Sequence, residues 1–176
     1  TKCELHKYRK NAVPGEGNIE NGIMIIGEAP GYNEDLKGRP FVGKAGKLLD
    51  KLIEGIGLKR EDFFITNVVK CRPPGNRKPK EEEIEICCSL YLDKQIELIK
   101  PKVIVCLGNV SSVYIFKKFG LKFTSMNKEH GKVYSISSLE IKTKIISTYH
   151  PAAVLRNASL MPLVKSDWEK IKEAIG

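Results

Sequence analysis

The sequence predicts an α/β fold built on a mostly parallel sheet. Two observations support this prediction: short apolar runs end at turn residues, and segments with helical period separate these runs. Strands that alternate with helices of about ten or more residues are typical of βαβ units, whose strands run parallel. No internal repeat, low-complexity tract or long linker divides the chain, so a single domain over residues 1–176 is expected.

Four short apolar runs are the predicted strands. They cover, in chain order, residues 23–26, 63–69, 103–107 and 141–148. Continuous apolar runs of this length suit buried strands that feed directly into loops. Ligands bind such sheets outside the carboxyl ends of the strands. The loops that follow Ile26, Ile65 and Thr148 are therefore expected to converge on one cleft.

Four segments with helical period lie between and after these strands. They cover residues 45–56, 81–99, 111–119 and 160–175. In the first of them, Leu and Ile side chains recur on one face while Lys47 and Asp50 point away, as in an amphipathic helix. This alternation of strand and helix is the basis of the fold prediction.

The composition is that of a globular domain with an excess of positive charge. The chain has 30 Lys and Arg against 21 Asp and Glu, a net charge of +9, and 41% of its residues are hydrophobic. This balance excludes a disordered or collagenous chain. Basic residues favour a polyanionic partner such as nucleic acid, because binding displaces condensed counterions. The alternative is a lysine-rich surface that only maintains solubility.

No feature of the sequence predicts a membrane or secreted protein. No apolar run approaches the roughly 20 residues needed to span a bilayer. The N-terminus also lacks the apolar stretch of a signal peptide. The expected location is the cytoplasm. A single glutamine beside abundant Lys and Glu is typical of a thermophile.

Two glycine-containing loops are candidates for ligand contact. Residues 27–31 directly follow the first strand, so their backbone N–H groups can approach a ligand; the alternative is a simple turn of the chain. Residues 38–44 nearly match the phosphate-binding pattern, but Ala45 stands where a Ser or Thr hydroxyl should bind magnesium. Phe41 in this loop is unusual for a core residue and suggests an aromatic platform for a flat ligand.

Asn67 and His150 lie at the ends of predicted strands. The amide of Asn67 can donate and accept hydrogen bonds together, as the Watson–Crick edge of a pyrimidine requires, or it can cap a turn. His150 is one of three histidines and precedes Pro151, which holds it extended. A functional and a structural role are both open for this histidine.

The five cysteines argue against a disulfide framework and for thiols, metal ligands or a nucleophile. Cys3, Cys71 and Cys87 come from separate segments, which favours zinc or an iron–sulfur cluster. Cys106 lies inside an apolar strand and is predicted to be a core residue. Cys88 is adjacent to Cys87 on a helix and points about 100° away from it, so the two cannot easily face one cluster.

Four ordered motifs and the cysteine spacing together resemble the iron–sulfur uracil-DNA glycosylases of family 4, found in thermophilic archaea and bacteria. The motifs cover residues 27–31, 38–43, 66–74 and 150–153. The similarity runs from Cys3 to about Trp168. The resemblance implies a three-layer α/β/α sandwich with a central four-stranded parallel sheet. It also implies a monofunctional DNA glycosylase that flips uracil out of DNA and hydrolyses its N-glycosidic bond, leaving an abasic site for base excision repair.

The resemblance assigns roles to the residues of the expected cleft. Phe41 would stack on the extruded uracil, and Asn67 would read its polar edge. His150 would donate a hydrogen bond to O2 as negative charge develops there. Backbone groups near Glu28 and Ala29 would hold the same oxygen. The implied catalytic residues are thus His150, Glu28 and Asn67.

The resemblance also assigns residues around the cleft. Ala29 stands where the best-known relatives of this fold carry a water-activating aspartate, so leaving-group stabilisation is expected to dominate, with Glu28 or another carboxylate orienting water. Glu34 would stand near C5 of uracil, where the methyl group of thymine would clash. Leu155 and Arg156 would wedge into the duplex where the base has left.

The cysteines correspond to a cluster site in the family. Family members carry a Cys-x-x-Cys pair near the N-terminus, so the resemblance implies a [4Fe–4S] cluster whose fourth ligand lies upstream of Thr1. The alternatives are a fourth ligand from His6 or Cys88, or no cluster. The ligands within the chain would be Cys3, Cys71 and Cys87.

The implied cluster is structural and has a consequence for DNA binding. It would tie the N-terminus to the segment between Cys71 and Cys87, whose Arg72 and Arg77 could then meet DNA phosphates. The implied partner is uracil-containing DNA, single- or double-stranded. The chain is expected to be a monomer in the cytoplasm, associated with the nucleoid, with a sliding clamp or polymerase as a further partner.

Two other function classes remain open from the residues alone. The thiols, the basic charge and Ala29 are compatible with a non-catalytic iron–sulfur protein that binds nucleic acid or senses redox state. The near match at residues 38–44 is compatible with a phosphatase or nucleotide hydrolase, against which Ala45 argues.

Overall fold

A mixed β-sheet runs through the centre of the protein in the computed structural model, which describes residues 2–176. Its strands in chain order are β1 Glu16–Gly17, β2 Ile23–Gly27, β3 Phe64–Asn67, β4 Val103–Leu107, β5 Val133–Ser137 and β6 Lys142–Thr148. Across the sheet they lie in the order β1-β3-β2-β4-β6-β5. The four inner strands pair in parallel, whereas β1 and β5 pair antiparallel at the two edges.

The four inner strands are the predicted parallel strands, and the two edge strands were not predicted. β1 has only two residues, too few to give a sequence pattern. β5 alternates between exposed and half-buried positions, as an edge strand with one wet face does. β3 ends at Asn67, earlier than predicted, because the next residues turn toward the β2 loop. There the Val68 and Val69 N–H groups donate to the Gly27 and Glu28 carbonyls at 2.9 and 3.2 Å.

Helices cover both faces of the sheet. They are α1 Tyr32–Lys37, α2 Lys44–Gly55, α3 Glu81–Cys87, α4 Asp93–Ile99, α5 Asn109–Lys118, α6 Met126–Glu129, α7 Pro151–Arg156 and α8 Met161–Ile175. A π-helical turn at Cys88–Leu92 joins α3 to α4, so the predicted helix over 81–99 is present with a bulge in its middle. No helix of the described chain is long and apolar enough to cross a bilayer.

The core consists of two layers separated by the sheet. Ile23 and Ile25 of β2 point to the side covered by α2, α7 and α8, whereas Met24 and Ile26 point to the side of α3, α4 and α5. This alternation follows from the two-residue period of a strand. Trp168 of α8 is 1% exposed in the first layer, and replacing so large a buried side chain with Ala typically costs about 3–5 kcal/mol.

This architecture brings three loops to one edge of the sheet. β2, β3 and β6 are parallel members of the sheet, so their carboxyl ends meet at the same side. The residues that follow them begin at Glu28, Val68 and Tyr149. The predicted three-layer α/β/α sandwich with four central parallel strands is therefore confirmed, with one antiparallel strand added at each edge.

Candidate active site

The carboxyl ends of β2 and β3 bring together two of the predicted site residues. A Cβ atom placed on Gly27 would lie 2.5 Å from both Asn67 Oδ1 and Phe41 Cζ. The amide and the aromatic ring therefore meet at this glycine, and a larger residue there would displace one of them. Asn67 is 2% exposed and Phe41 is 6% exposed, so both side chains are buried at the carboxyl ends of these strands.

His150 completes this group of side chains. Its ring stacks on the Phe41 ring, with centroids 5.6 Å apart and planes inclined by 29°. His150 caps the start of α7, where its Nδ1 accepts a hydrogen bond from the Ala152 N–H at 3.0 Å. Because Nδ1 is an acceptor, the neutral ring carries its proton on Nε2. We refer to Phe41, Asn67 and His150 as the base crevice.

The charge state of His150 follows from its surroundings. Burial and, to a smaller extent, the positive charge of Arg156 lower the pKa of the ring to about 4, against an opposing effect of Glu34. At neutral pH the ring is therefore uncharged, and its free Nε2–H is a donor of hydrogen bonds. A neutral donor of this kind can stabilise an anion without itself being a strong acid.

The Asn67 side chain can accept a hydrogen bond from a ligand. Its Oδ1 is buried and has no hydrogen-bond partner among the described residues. A buried acceptor without a partner is costly and is rare in folded proteins. The amide thus presents an acceptor that a planar ligand with an N–H group would satisfy.

Glu34 is bound to the loop that carries Phe41. Its Oε1 accepts from the Gly31 N–H at 3.0 Å, and its Oε2 accepts from the Val42 and Gly43 N–H groups at 2.9 and 2.8 Å. The carboxylate therefore fixes the backbone on the C-terminal side of Phe41. The sequence analysis did not predict these hydrogen bonds to the backbone. The predicted place of Glu34 near C5 of a bound base stays a prediction.

A cavity of about 400 Å³ opens beside the His150 ring. Glu28, His150 and Arg156 line it, whereas the buried side chains of Phe41 and Asn67 do not. Burial raises the pKa of the Glu28 carboxyl, while the positive charges of Lys78 and Arg156 lower it. The lining residues that the sequence analysis did not single out include Gly108, Asn109, Met126, Tyr149 and Leu160.

Ala29 follows Glu28 in the loop after β2. It is half-buried and packs against the core layer of α3 and α5. With a methyl side chain it offers only backbone groups to a ligand and no base. The nearest carboxylate in the sequence is that of Glu28, which lines the cavity.

The residues predicted to contact DNA differ in their exposure and in their contacts with other side chains. Leu155 is 53% exposed and Arg156 is exposed, both at the end of α7. Arg72 donates to Asn76 Oδ1 at 2.6 Å, and its guanidinium lies 5.3 Å from the centroid of the Tyr32 ring. Of these side chains, Arg156 lines the cavity, whereas Arg72 is half-buried.

Arg77 is already bound to an acidic partner. It makes two hydrogen bonds to the Glu83 carboxylate, at 2.7 and 3.1 Å. Glu83 also accepts from the Lys80 N–H at 2.8 Å, which fixes the start of α3. This arrangement gives Arg77 a role in shaping the loop, and its predicted contact with phosphate stays a prediction.

A buried hydrogen-bond network supports the end of β6. Asp167, 1% exposed, accepts from Thr148 Oγ1 at 2.7 Å and lies 2.9 and 3.0 Å from His130 Nδ1 through its two oxygens. The His130 ring lies 5.3 Å from that of Tyr149, the neighbour of His150. No sequence motif marked this network, because its members are distant along the chain.

The three predicted ligand cysteines line one cavity. It has a volume of about 380 Å³, and Cys3, Cys71 and Cys87 all contribute to its wall. The Lys70 N–H donates to Cys87 Sγ at 3.3 Å, and Arg9 Nη1 donates to Cys71 Sγ at 3.5 Å. Burial raises the pKa of both of these thiols. We call this region the cysteine cavity.

The other cysteines do not share this cavity. Cys88 and Cys106 are fully buried in the core, as predicted for Cys106, and Cys88 Sγ donates to the Val68 carbonyl at 3.5 Å. His6 lines the cysteine cavity, with Nδ1 2.6 Å from the Cys3 carbonyl oxygen. Within residues 2–176 no three His, Cys, Asp or Glu side chains are grouped to hold a single metal ion. The predicted fourth ligand upstream of Thr1 lies outside the described residues.

A family model and individual relatives both relate this chain to the same family of proteins. Residues 14–172 match the family model of the uracil DNA glycosylase superfamily. A type-4 uracil-DNA glycosylase of Saccharolobus solfataricus is 55% identical over 175 residues, which cover 99% of this chain and 81% of the relative. Type-4 enzymes of Archaeoglobus fulgidus and Thermotoga maritima are 53% and 46% identical, covering 99% of this chain and 87% and 88% of the relatives.

Proposed function

Because the chain belongs to the uracil-DNA glycosylase superfamily, whose reaction is the excision of uracil from DNA, we propose that the base crevice is where this reaction occurs. As a DNA glycosylase the protein hydrolyses the N-glycosidic bond and leaves an abasic site. One observation carries the proposal: the position of a Cβ on Gly27 touches both Asn67 and Phe41, and Phe41 stacks on His150. These contacts place the three side chains side by side, as a site for one planar base requires.

Phe41 and Asn67 bind the extruded base. Taking a base out of the stack costs a few kcal/mol, and stacking on the Phe41 ring returns about 1–3 kcal/mol of it. The unpartnered Oδ1 of Asn67 accepts the N3–H of uracil, and its amide N–H donates to O4. Cytosine lacks the N3–H, so this pairing favours uracil.

His150 stabilises the leaving group. Breaking the bond leaves an oxocarbenium-like sugar and a uracil anion, whose charge develops partly on O2. The neutral His150 ring, fixed by the Ala152 N–H, donates from Nε2 to that oxygen. One well-placed donor of this kind typically contributes about 3–4 kcal/mol to the transition state.

Glu28 is the group we assign to the attacking water. It lines the cavity beside His150, and burial raises its pKa, as suits a carboxyl group that holds water near a developing positive charge. Backbone groups near Glu28 and Ala29 hold O2 together with His150. Because Ala29 offers no base, stabilisation of the departing uracil contributes more than activation of water.

Glu34 sets the shape of the crevice and contributes to the choice of base. Its carboxylate holds the loop after Phe41. Its negative charge is also close enough to His150 to oppose the lowering of the pKa of that ring. A side chain fixed in this way can leave no room for the C5 methyl group of thymine.

The exposed border of the cleft contacts DNA. Leu155 and Arg156 of α7 wedge into the space that the base vacates, and Arg72 and Arg77 meet phosphates nearby. The net charge of +9 supports this assignment through counterion release. We place the protein on chromosomal DNA in the nucleoid, as a monomer, with a sliding clamp or polymerase as the partner to look for.

A [4Fe–4S] cluster fits the cysteine cavity. Three thiols share one cavity, and two of them already accept hydrogen bonds from N–H groups, which stabilise cluster sulfur. A four-iron cluster is larger than one ion, so its ligands need not meet at a point. Cys3, Cys71 and Cys87 would hold it with a fourth ligand upstream, and it would supply a structural tie between the chain start and the segment before α3.

Single-turnover assays on a uracil-containing oligonucleotide test this function. The wild-type protein should release uracil in an amount that saturates with enzyme, whereas Asn67→Ala should be slower by about 10²-fold through loss of the paired edge. Asn21→Ala, which changes an exposed amide far along the chain, is the matched control. Binding without base release would favour a non-catalytic nucleic-acid-binding protein instead.

A further inference from the structure

The backbone at Phe41 has an unusual conformation. Its φ angle is +50°, in the left-handed region that residues with a Cβ rarely adopt. A bulky residue stays in that region only where its surroundings hold it there, and such residues cluster at functional sites. Phe41 precedes α2 and is not the cap of a helix C-terminus, where such angles are common.

Arg60 holds the carbonyl groups around Phe41. Its Nη1 donates to the Phe41 carbonyl at 2.8 Å, and its Nη2 donates to the Pro40 carbonyl. The side chain is only 16% exposed and is itself fixed by ion pairs to Asp50 at 3.1 Å and Glu16 at 3.3 Å. Two successive peptide units are thus bound to one guanidinium group.

The other sides of the same segment are also fixed. Glu34 accepts from the Val42 and Gly43 N–H groups, which follow Phe41. A Cβ on Gly46 would overlap the Phe41 carbonyl oxygen, so α2 packs directly on this peptide. The backbone of Phe41, from which the ring extends, is therefore fixed by contacts that lie away from the base crevice.

We propose that Arg60 is a positioning residue for uracil excision, which acts by fixing the left-handed backbone of Phe41 and so the plane on which the base stacks. This inference rests on the proposed role of Phe41 as the stacking platform. Arg60 does not contact the base. It determines how well the flipped base is aligned with Asn67 and His150.

Arg60→Met and Arg39→Met are a matched pair of variants for the test. Each removes one positive charge, and both arginines bind Glu16, but Arg39 is 57% exposed and binds neither peptide at Phe41. Arg60→Met should lower the single-turnover rate of uracil release by about 10- to 100-fold, the usual effect of a misplaced reacting group. Its affinity for DNA that carries an abasic site should stay within about twofold of that of Arg39→Met.

A double-mutant cycle separates positioning from a general loss of structure. In a Phe41→Ala background, Arg60→Met should have no more than about a twofold further effect on the rate, because the residue through which it acts is gone. Independent, additive losses would overturn the inference. A wild-type rate for Phe41→Ala alone would instead overturn the proposed role of Phe41, so the two failures are distinguishable.

Thermal unfolding shows whether each variant is folded. Should Arg60→Met not fold, Arg60→Lys decides, since Lys keeps the charge and can donate to one of the two carbonyls. It should show an intermediate loss of rate that disappears in the Phe41→Ala background. A wild-type rate for Arg60→Lys, or a loss that persists without Phe41, would count against the inference.

Discussion

The base crevice and the cysteine cavity differ in what holds their side chains in place. In the crevice, His150 is fixed by the Ala152 N–H, and the loop of Phe41 is fixed by Glu34 and Arg60. In the cysteine cavity, the thiols have only N–H···S contacts of 3.3 and 3.5 Å. The crevice side chains are thus held by strong hydrogen bonds to the backbone, whereas the contacts to the thiols are long and weak.

This difference predicts separate effects of changes in the two regions, mainly on activity in the base crevice and mainly on stability in the cysteine cavity. A preorganised crevice lowers the barrier to reaction because its dipoles need not reorient. Thiols that would hold the proposed cluster would instead couple its binding to folding. Changes in the crevice should therefore lower the rate of uracil release by more than their effect on stability accounts for, and changes in the cavity should do the reverse.

The largest effect is expected in the crevice, from His150→Ala. Loss of the Nε2 donor should slow single-turnover uracil release by about 10²–10³-fold, since one oxyanion donor is worth about 3–4 kcal/mol. The Kd for abasic-site DNA should change little, while loss of the α7 cap should lower the free energy of unfolding by about 0.5–2 kcal/mol. Asn21→Ala is the control, because this exposed residue lies outside both regions. An unchanged rate in His150→Ala would remove the proposed role of this donor.

The sequence predicted which candidate residues lie together where those residues are tied to strand ends. Asn67 and His150 come directly at or after strands, and parallel strands bring their carboxyl ends together whatever the loops do. Phe41 was singled out as an aromatic residue in a polar loop and was not expected in the core, but the structure buries it in the core layer of α2, α7 and α8. The four inner strands were predicted because each of them is a continuous apolar run in the sequence.

The supports of the site were not predictable in this way. Arg60 lies in a charged segment that resembles any solvated turn, yet its guanidinium reaches the carbonyls of Pro40 and Phe41. Asp167 and His130 are 37 positions apart and meet only through the packing of α8. Such contacts depend on tertiary structure, which leaves no local pattern in one sequence.

The next largest effect is expected in the cysteine cavity, from Cys87→Ser. The protein should lose its iron, about four per chain by the proposed ligation, and the free energy of unfolding should fall by about 2 kcal/mol. For a chain of this size that is roughly 4–8 °C in Tm. The measurements are iron analysis, visible absorbance and thermal unfolding.

Cys106→Ala is the matched control for this change. Cys106 is fully buried in the core, so its loss should lower stability by about 1 kcal/mol while the iron content stays unchanged. Wild-type protein with one zinc and no iron would contradict the proposed cluster. A fall in the rate of uracil release larger than the fall in stability would contradict the separation of the two regions.

A smaller effect should appear in the pH dependence of the crevice. The rate of uracil release should be insensitive to the charge of His150 above pH 5 and should fall as pH drops through about 4, the pKa of its ring. Protonation there places a proton on Nδ1 and breaks the bond from the Ala152 N–H. The unfolded ring has a pKa near 6.5, so the folded state binds fewer protons between these values.

The lowered pKa of His150 also determines how the stability of the protein changes with pH. The contribution of His150 is present above about pH 6.5 and is lost as pH falls toward about 4, because the unfolded state gains the proton first. Comparison with His150→Gln isolates it, since glutamine has no charge to gain. Parallel stability curves for the two proteins between pH 4 and 6.5 would show that the pKa of His150 is not lowered.

The smallest effect is expected outside both regions, from Arg156→Gln. Arg156 is exposed at the end of α7, so its loss should weaken DNA binding by about fivefold and reduce the slope of log K against log salt by about one. Arg39→Gln has the same change of charge but removes a side chain already paired with Glu16. Equal slopes for the two variants would mean that binding senses net charge alone and that Arg156 has no special place beside the crevice.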